Sequence, residues 1–249
     1  IFCSKVGLNS YSKKKNFSKK FITKQLKDIL SDLNTDYIDF IKLYCPDPKD
    51  KNLQEGYETL MKLKKEGLIR HIGVSLNSPT DLLKFNKNFK FDVVQCNLNL
   101  LDLRIFDEKL LNHIKKEKIG IIARTIHCFG VFTEEFLKRK TFFKIKSKIP
   151  VNDHRSRWGV EQLNSWLEGA KIIKKQLGNN QNIEDIALKF SNSFDFISSS
   201  LIGVQSLDQL NSNLKNNNLS TLSKKNIKDI ININKREFFI NDKAPKRTI

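Results

Sequence analysis

Six places along the chain put chemically useful groups at one kind of address. Lys5, Tyr44, Ser75, Gln95, Arg124 and the run Gly203-Val204-Gln205-Ser206 each fall at the C-terminal end of a short apolar segment. Together they offer an ammonium, a phenol, a hydroxyl, amides and a guanidinium, the groups that move protons and hold polar ligands. A lysine inside an apolar mouth is costly unless paired, which singles out Lys5. Its alternative is a lysine that ends the edge of a sheet and reaches solvent.

These addresses come from a strand-then-helix beat that begins at once. Ile1-Phe2-Cys3-Ser4-Lys5 reads as a buried strand ending near Val6-Gly7. After Ser18 as N-cap, apolar residues at Phe21, Ile22, Leu26, Ile29, Leu30 and Leu33 keep a spacing near 3.6 and predict a helix over Lys19–Leu33. A second strand, Tyr37–Tyr44, stops at Cys45-Pro46-Asp47-Pro48, and a helix over Leu53–Glu66 ends at Gly67. Further strands are predicted at Ile72–Ser75, Val93–Leu98, Gly120–Arg124 and Ser200–Val204. Helices are predicted at about Phe106–Glu117, Glu161–Leu177, Ile183–Asn192, Leu207–Lys215 and Ser223–Arg236, with a short one opened by Ser78-Pro79. From Thr125 to about Val160 no period is visible, so a long loop is expected, the usual place for a lid or substrate wall.

Strands alternating with helices imply βαβ units on a parallel sheet, whose chemistry collects at the C-terminal strand ends. Six such units are two fewer than close an eight-stranded barrel, and the shortfall lies at the front. The expected fold is therefore α/β, a (β/α)8 TIM barrel lacking its first two βα units in this chain. Residues 1–249 are expected to form one domain.

Composition removes several functions. No apolar run approaches the ~20 residues of a membrane-spanning helix. The formal charge of +18 comes from lysines scattered along the chain, as in Lys13-Lys14-Lys15 and Lys174-Lys175, with no Arg-rich helix and no basic arm. Solvated lysines account for the charge better than a nucleic-acid surface. Cys3, Cys45, Cys96 and Cys128 lack CxxC spacing and fall in or just after predicted strands, which suits buried, reduced thiols in the cytoplasm. His127 and Cys128 have no third ligand at metal spacing, so no metal is expected.

The wording of several segments resembles the aldo-keto reductases. These are Leu33-Asn34-Thr35-Asp36-Tyr37-Ile38-Asp39 before Cys45-Pro46-Asp47-Pro48, and the stretch Leu63–Ser75 containing Gly67-Leu68-Ile69-Arg70-His71-Ile72-Gly73-Val74. Val93-Val94-Gln95 with Asn97, and Ile202-Gly203-Val204 followed by Gln209-Leu210 and Asn213-Leu214, continue it in order to about residue 236. Asp153-His154-Arg155-Ser156-Arg157-Trp158 is similar to a subgroup trait.

The resemblance implies an NADPH- or NADH-dependent carbonyl reductase acting on a small aldehyde or ketone. The family works with Asp, Tyr, Lys and His, the Tyr being the general acid and the Lys tuning it. Lys5 falls on the family's Lys. The family's Asp and Tyr lie upstream of that strand, so no residue here inherits those roles. The His position holds Tyr44, which either bonds a carbonyl oxygen or shapes the pocket rim. Ser75 and Gln95 match residues that hold the nicotinamide carboxamide, while the neighbouring Asn position is Leu76, followed by Asn77. Arg124 stands where a nicotinamide-stacking residue is found. Backbone groups of Gly203, Val204 and Ser206 match the adenosine-phosphate site and Asn213 an adenine contact. Gln205 and Gln209 replace cations that favour NADPH, which shifts the expectation toward weak discrimination or NADH. Asp153, His154 and the two arginines beside it either bind a substrate carboxylate or clamp the cofactor, or else pin the loop as ion pairs. Two classes remain: a reductase incomplete at its N-terminus, and a non-catalytic scaffold that still binds nicotinamide nucleotide or a protein partner.

Overall fold

The computed structural model describes residues 1–9, 11–12, 14–138, 156, 158–178, 181–204, 206–215 and 221–239. Six strands follow one another in the sheet in chain order: β1 (Cys3–Val6), β2 (Ile38–Tyr44), β3 (Ile69–Ser75), β4 (Val93–Asn97), β5 (Gly120–Arg124) and β6 (Ile197–Ser200). The β1–β2, β2–β3 and β3–β4 pairs are parallel. Helices alternate with them: α1 (Lys19–Leu33), α2 (Leu53–Lys65), α3 (Glu108–Glu117), α4 (Glu134–Leu137), α5 (Val160–Leu177), α6 (Ile183–Asn192), α7 (Leu207–Lys215) and α8 (Lys224–Ile233). The described residues divide into two compact units, one of Ile1–Cys96 with Asp107–Ile122, the other of Asn97–Phe106 with the described residues from Ala123 to Phe239.

In the first unit the periodic residues do what their spacing requires. Ile22 and Leu26 of α1, and Leu53, Tyr57, Leu60 and Leu63 of α2, are buried. Phe17 is 1% exposed and lies so close to two glycines that neither tolerates a side chain. A Cβ on Gly7 would sit 2.3 Å from its ring, and one on Gly56 would sit 2.5 Å from its carbonyl oxygen. Asp92, at the entry to β4, accepts from Ile72 N at 2.9 Å and from Lys64 Nζ at 2.8 Å. Burial alone would raise its pKa, but the Lys64 and Ile72 hydrogen bonds outweigh it and hold the carboxyl below its ordinary value.

In the second unit α5 buries Leu163, Trp166, Leu167, Ala170 and Ile173. Gly169 lets Leu101 and Phe238 approach, and Gln162 and Ser165 both donate to the Phe238 carbonyl, at 2.7 and 2.9 Å. Leu98 N donates to Arg124 O, and Leu201 N to Ala123 O, at 3.1 and 2.8 Å.

Three expectations change, and that of buried, reduced thiols holds for Cys45, Cys96 and Cys128. Ile1, Phe2 and Cys3 are exposed rather than buried, because β1 ends the sheet order and has one neighbouring strand. Cys45, Cys96 and Cys128 are buried, and all four thiols are free. The stretch after β5 is not all loop: a 3₁₀ turn at Cys128–Gly130 and the short α4, capped by Thr133 Oγ1, stand in it. The last strand is Ile197–Ser200, not Ser200–Val204; Leu201 and Val204, 45% and 43% exposed, lie beyond it. No helix among the described residues is long and apolar enough to cross a membrane.

Candidate active site

Register decides which side chains share a face of a parallel sheet. Tyr44 pairs with Ser75 and Ser75 with Gln95, so these three form one row, at the C-terminal ends of β2 and β3 and in the middle of β4. The row below is Lys5, Lys42, Gly73 and Val93. Lys5 therefore stands one layer beneath the Tyr44 row, half-buried, as Tyr44 itself is. Cys45 N bonds Ser75 O at 2.8 Å and Leu76 N bonds Gln95 O at 2.9 Å, which carries the ladder past the row and fixes it.

Ser75 is fully buried and Gln95 is 3% exposed. Ser75 Oγ lies 3.9 Å from Cys45 Sγ, a long contact between weak partners. Gln95 Oε1 is buried with no hydrogen-bond partner. An orphaned buried acceptor costs about 1–3 kcal/mol, which a donor on a ligand recovers. Leu76 is buried and Asn77 is exposed.

One residue of this face escaped the sequence reading. Lys42 is 2% exposed, and its Nζ donates to Cys3 Sγ at 2.8 Å. Gly73 makes room for it: a Cβ there would lie 3.0 Å from Lys42 Cγ and 2.5 Å from Val93 Cγ1. The available signal was a lysine in the middle of Ile38-Asp39-Phe40-Ile41-Lys42-Leu43-Tyr44, at even spacing from Tyr44.

The second unit holds the remaining candidates. Arg124 ends β5 half-buried, its carbonyl accepting from Thr125 Oγ1 at 2.6 Å. The turn that follows is strained, with Thr125, Cys128 and Phe129 at φ of 58°, 45° and 57°. Burial lowers the pKa of His127 against smaller opposing effects of the Glu184 backbone and Asp185, and its Nε2 is buried without a partner. Burial, with a contribution from Asp102, pushes the Cys128 thiol well up, so Cys128 is held as a thiol. Among the described residues no three of His, Cys, Asp and Glu gather as metal ligands do.

Gly203, Val204 and Ser206 lie in the exposed segment between β6 and α7. Ser206 caps that helix, its Oγ accepting from Gln209 N at 3.2 Å and its carbonyl from Leu210 N at 3.1 Å. The amides of the first turn are thus presented at a helix N-terminus, a setting that favours anions. Gln209 is exposed and Asn213 half-buried. Gln205, and Asp153, His154, Arg155 and Arg157, lie outside the described residues.

Residues 1–235 match the Aldo/keto reductase family. An uncharacterized oxidoreductase of Bacillus subtilis, YqkF, is 24% identical over 222 residues, covering 89% of this chain and 68% of its own. L-galactose dehydrogenase of Arabidopsis thaliana is 27% identical over 228 residues, covering 86% of this chain and 62% of its own. The chain thus spans about two thirds of the length of these relatives. Among solved structures, aldo-keto reductase AKR11C1 from Bacillus halodurans, in its holo form, superposes with a TM-score of 0.71 at 22% identity. That match covers 94% of this chain and 72% of the other. The glycerol dehydrogenase AKR11B4 from Gluconobacter oxydans gives 0.70 at 22% identity, covering 98% and 74%. These structures establish the fold, α/β of the aldo-keto reductase barrel type.

Proposed function

Because the chain belongs to the aldo/keto reductase family, a family of NAD(P)-dependent oxidoreductases, we propose that it serves the reduction of a small aldehyde or ketone by NADH or NADPH. The carrying observation is the buried, unpartnered Gln95 Oε1 in one row with Ser75 and Tyr44. A carboxamide N–H is the donor that such an acceptor lacks, so these residues fit a nicotinamide. When bound, that ring supplies hydride to the carbonyl carbon.

The chain's own residues then divide the work. Gln95 accepts from the carboxamide, and Ser75 Oγ bonds its oxygen. By the family resemblance, Arg124 would take the nicotinamide-stacking role, the backbone of Gly203, Val204 and Ser206 would hold the adenosine phosphate, and Asn213 the adenine. Neutral Gln205 and Gln209 leave the 2′-phosphate without a charge-assisted partner, so NADH and NADPH bind with similar strength. The Tyr44 hydroxyl donates to the substrate carbonyl oxygen. Lys5 favours the ionised form of the general acid, a Tyr that these 249 residues do not supply. Residues 1–249 act as one barrel domain in the cytoplasm, where free thiols such as Cys45, Cys96 and Cys128 persist.

Relatives named L-galactose dehydrogenase, glycerol dehydrogenase and methylglyoxal reductase support a small polar carbonyl compound as substrate. Tyr44 and Leu76 in place of the family's His and Asn favour a second reading, a scaffold that binds the nucleotide without turnover. Assays of carbonyl reduction separate the two. The 249-residue chain should be inactive, and a version extended upstream with an Asp and a Tyr should turn over. An inactive extended form that still binds nucleotide would establish the scaffold; activity in the short form would overturn the assignment of the acid.

A further inference from the structure

Side-chain amides that serve the fold give their oxygens to it. Asn99 Oδ1 accepts from Leu101 N at 2.9 Å in the turn after β4, and Gln25 Oε1 accepts from Gly7 N at 2.8 Å. Asn97 does neither kind of work. Its Oδ1 is buried without a hydrogen-bond partner, and among the described residues the only other carboxamide oxygen in that condition is that of Gln95. An acceptor shut from water and left unbonded is a standing cost to the fold, which a donor on a ligand removes. Asn97 ends β4 two residues beyond Gln95, so the two side chains leave the strand on one face. Leu98 N donates to Arg124 O at 3.1 Å, which sets the end of β4 beside the end of β5. Asn97 as a whole is only half-buried, and the soft terminal torsion of an asparagine turns its oxygen toward an arriving donor at little cost.

We propose that Asn97 is a specificity-determining residue, whose Oδ1 accepts a hydrogen bond from a hydroxyl on the carbon next to the substrate carbonyl. The substrate class is then the α-hydroxy aldehydes and ketones. The inference rests on the reading that Gln95 receives the nicotinamide carboxamide. A strand rises about 3.3 Å per residue, so Asn97 stands about 6.6 Å beyond Gln95, toward the strand ends where a barrel takes its substrate. The carboxamide donor is spent on Gln95 one step below, and Asn97 meets the carbonyl compound above it. That step is short, so the hydroxyl must lie close to the reacting carbon. A neutral amide oxygen gains nothing from a carboxylate or an alkyl group, which bring no donor; a hydroxyl brings one. A ketone without the hydroxyl leaves the oxygen unbonded and is disfavoured for that reason.

The probes are hydroxyacetone and butanone, which differ in one group, a hydroxyl in the first and a methyl in the second. Their dissociation constants are measured by saturation-transfer NMR on the 249-residue chain loaded with NADH, after NADH itself has been titrated. The parent chain should hold hydroxyacetone about tenfold more tightly than butanone, the worth of one hydrogen bond. Asn97→Leu, close in size but without an acceptor, should bind the two ketones alike, hold NADH as the parent does and melt no lower. Asn97→Asp keeps an acceptor oxygen and should keep the preference, so the test does not hang on one variant. Equal affinity of the parent for both ketones, no binding of hydroxyacetone, or a preference that survives in Asn97→Leu would overturn the proposal. A loss of NADH affinity in Asn97→Leu would assign the oxygen to a ribose hydroxyl of the nucleotide and overturn it as well. A parent chain that binds no NADH sinks the nicotinamide reading itself; one that binds NADH and does not tell the ketones apart sinks this inference alone.

Discussion

At the scale of single residues, a group proposed to hold a ligand and a group that serves the fold make different predictions. Gln95 belongs to the first kind: its side-chain oxygen is buried and unsatisfied, so removing it relieves the empty protein and penalises the complex. Gln95→Ala should weaken nicotinamide nucleotide binding by about tenfold, the worth of one buried hydrogen bond, with little change in melting temperature. His127 belongs to the second kind. Its folded pKa is lowered by burial, so the unfolded chain binds the proton more readily. The stability it contributes is therefore present above the ordinary histidine value near 6.5 and is lost as pH falls through the folded pKa. Melting temperatures between pH 7.5 and 5.5, a range of about two units chosen to bracket that value, should fall less for His127→Gln than for the parent. Equal slopes would show that His127 takes up its proton without cost.

At the scale of elements, glycines and strand ends carry the account. Gly7 combines a φ of 97° with a Cβ position 2.3 Å from Phe17, whereas Gly67 has a φ of 83° and nothing within 4 Å. Gly67→Ala should cost only backbone strain, about 1 kcal/mol. Gly7→Ala should cost about 3 kcal/mol, because Phe17 must move as well; chemical denaturation reads the difference. Much of this layer was legible. The bounds of α1, β5, α6 and α7, and to within a residue of α2 with its Gly67 stop, follow from periodicity and caps, because local signals and tertiary packing agree there. β6 was misplaced because the apolar run Leu201-Ile202-Gly203-Val204 looks more like a strand than Ile197-Ser198-Ser199-Ser200, yet the polar segment is the paired one. A ladder position depends on backbone partners such as Ala123 O, which no local pattern reveals. Tyr44 and Ser75 were legible as strand ends, whereas the mid-strand place of Gln95 in their row, and the layer that places Lys5 beside Lys42, needed the register.

At the scale of the whole molecule, the formal charge of +18 is a self-repulsion that the surface ion pairs only partly relieve. Pairs such as Lys24–Asp28 and Lys62–Glu66 are exposed and contribute little each. Raising salt from ~20 to ~300 mM should therefore raise the melting temperature, by screening repulsion more than attraction. A fall would mean that the pairs dominate. The proposed nucleotide site has neutral Gln205 and Gln209 where the family has cations, and the central claim is that the Tyr44–Ser75–Gln95 row receives the nicotinamide. Calorimetric titration of NADH and NADPH into the 249-residue chain and into Gln95→Ala tests it most directly. The expected result is one-site binding of both nucleotides at similar strength, weakened about tenfold by the substitution. Failure of the parent chain to bind either nucleotide, or equal affinity in Gln95→Ala, would contradict it.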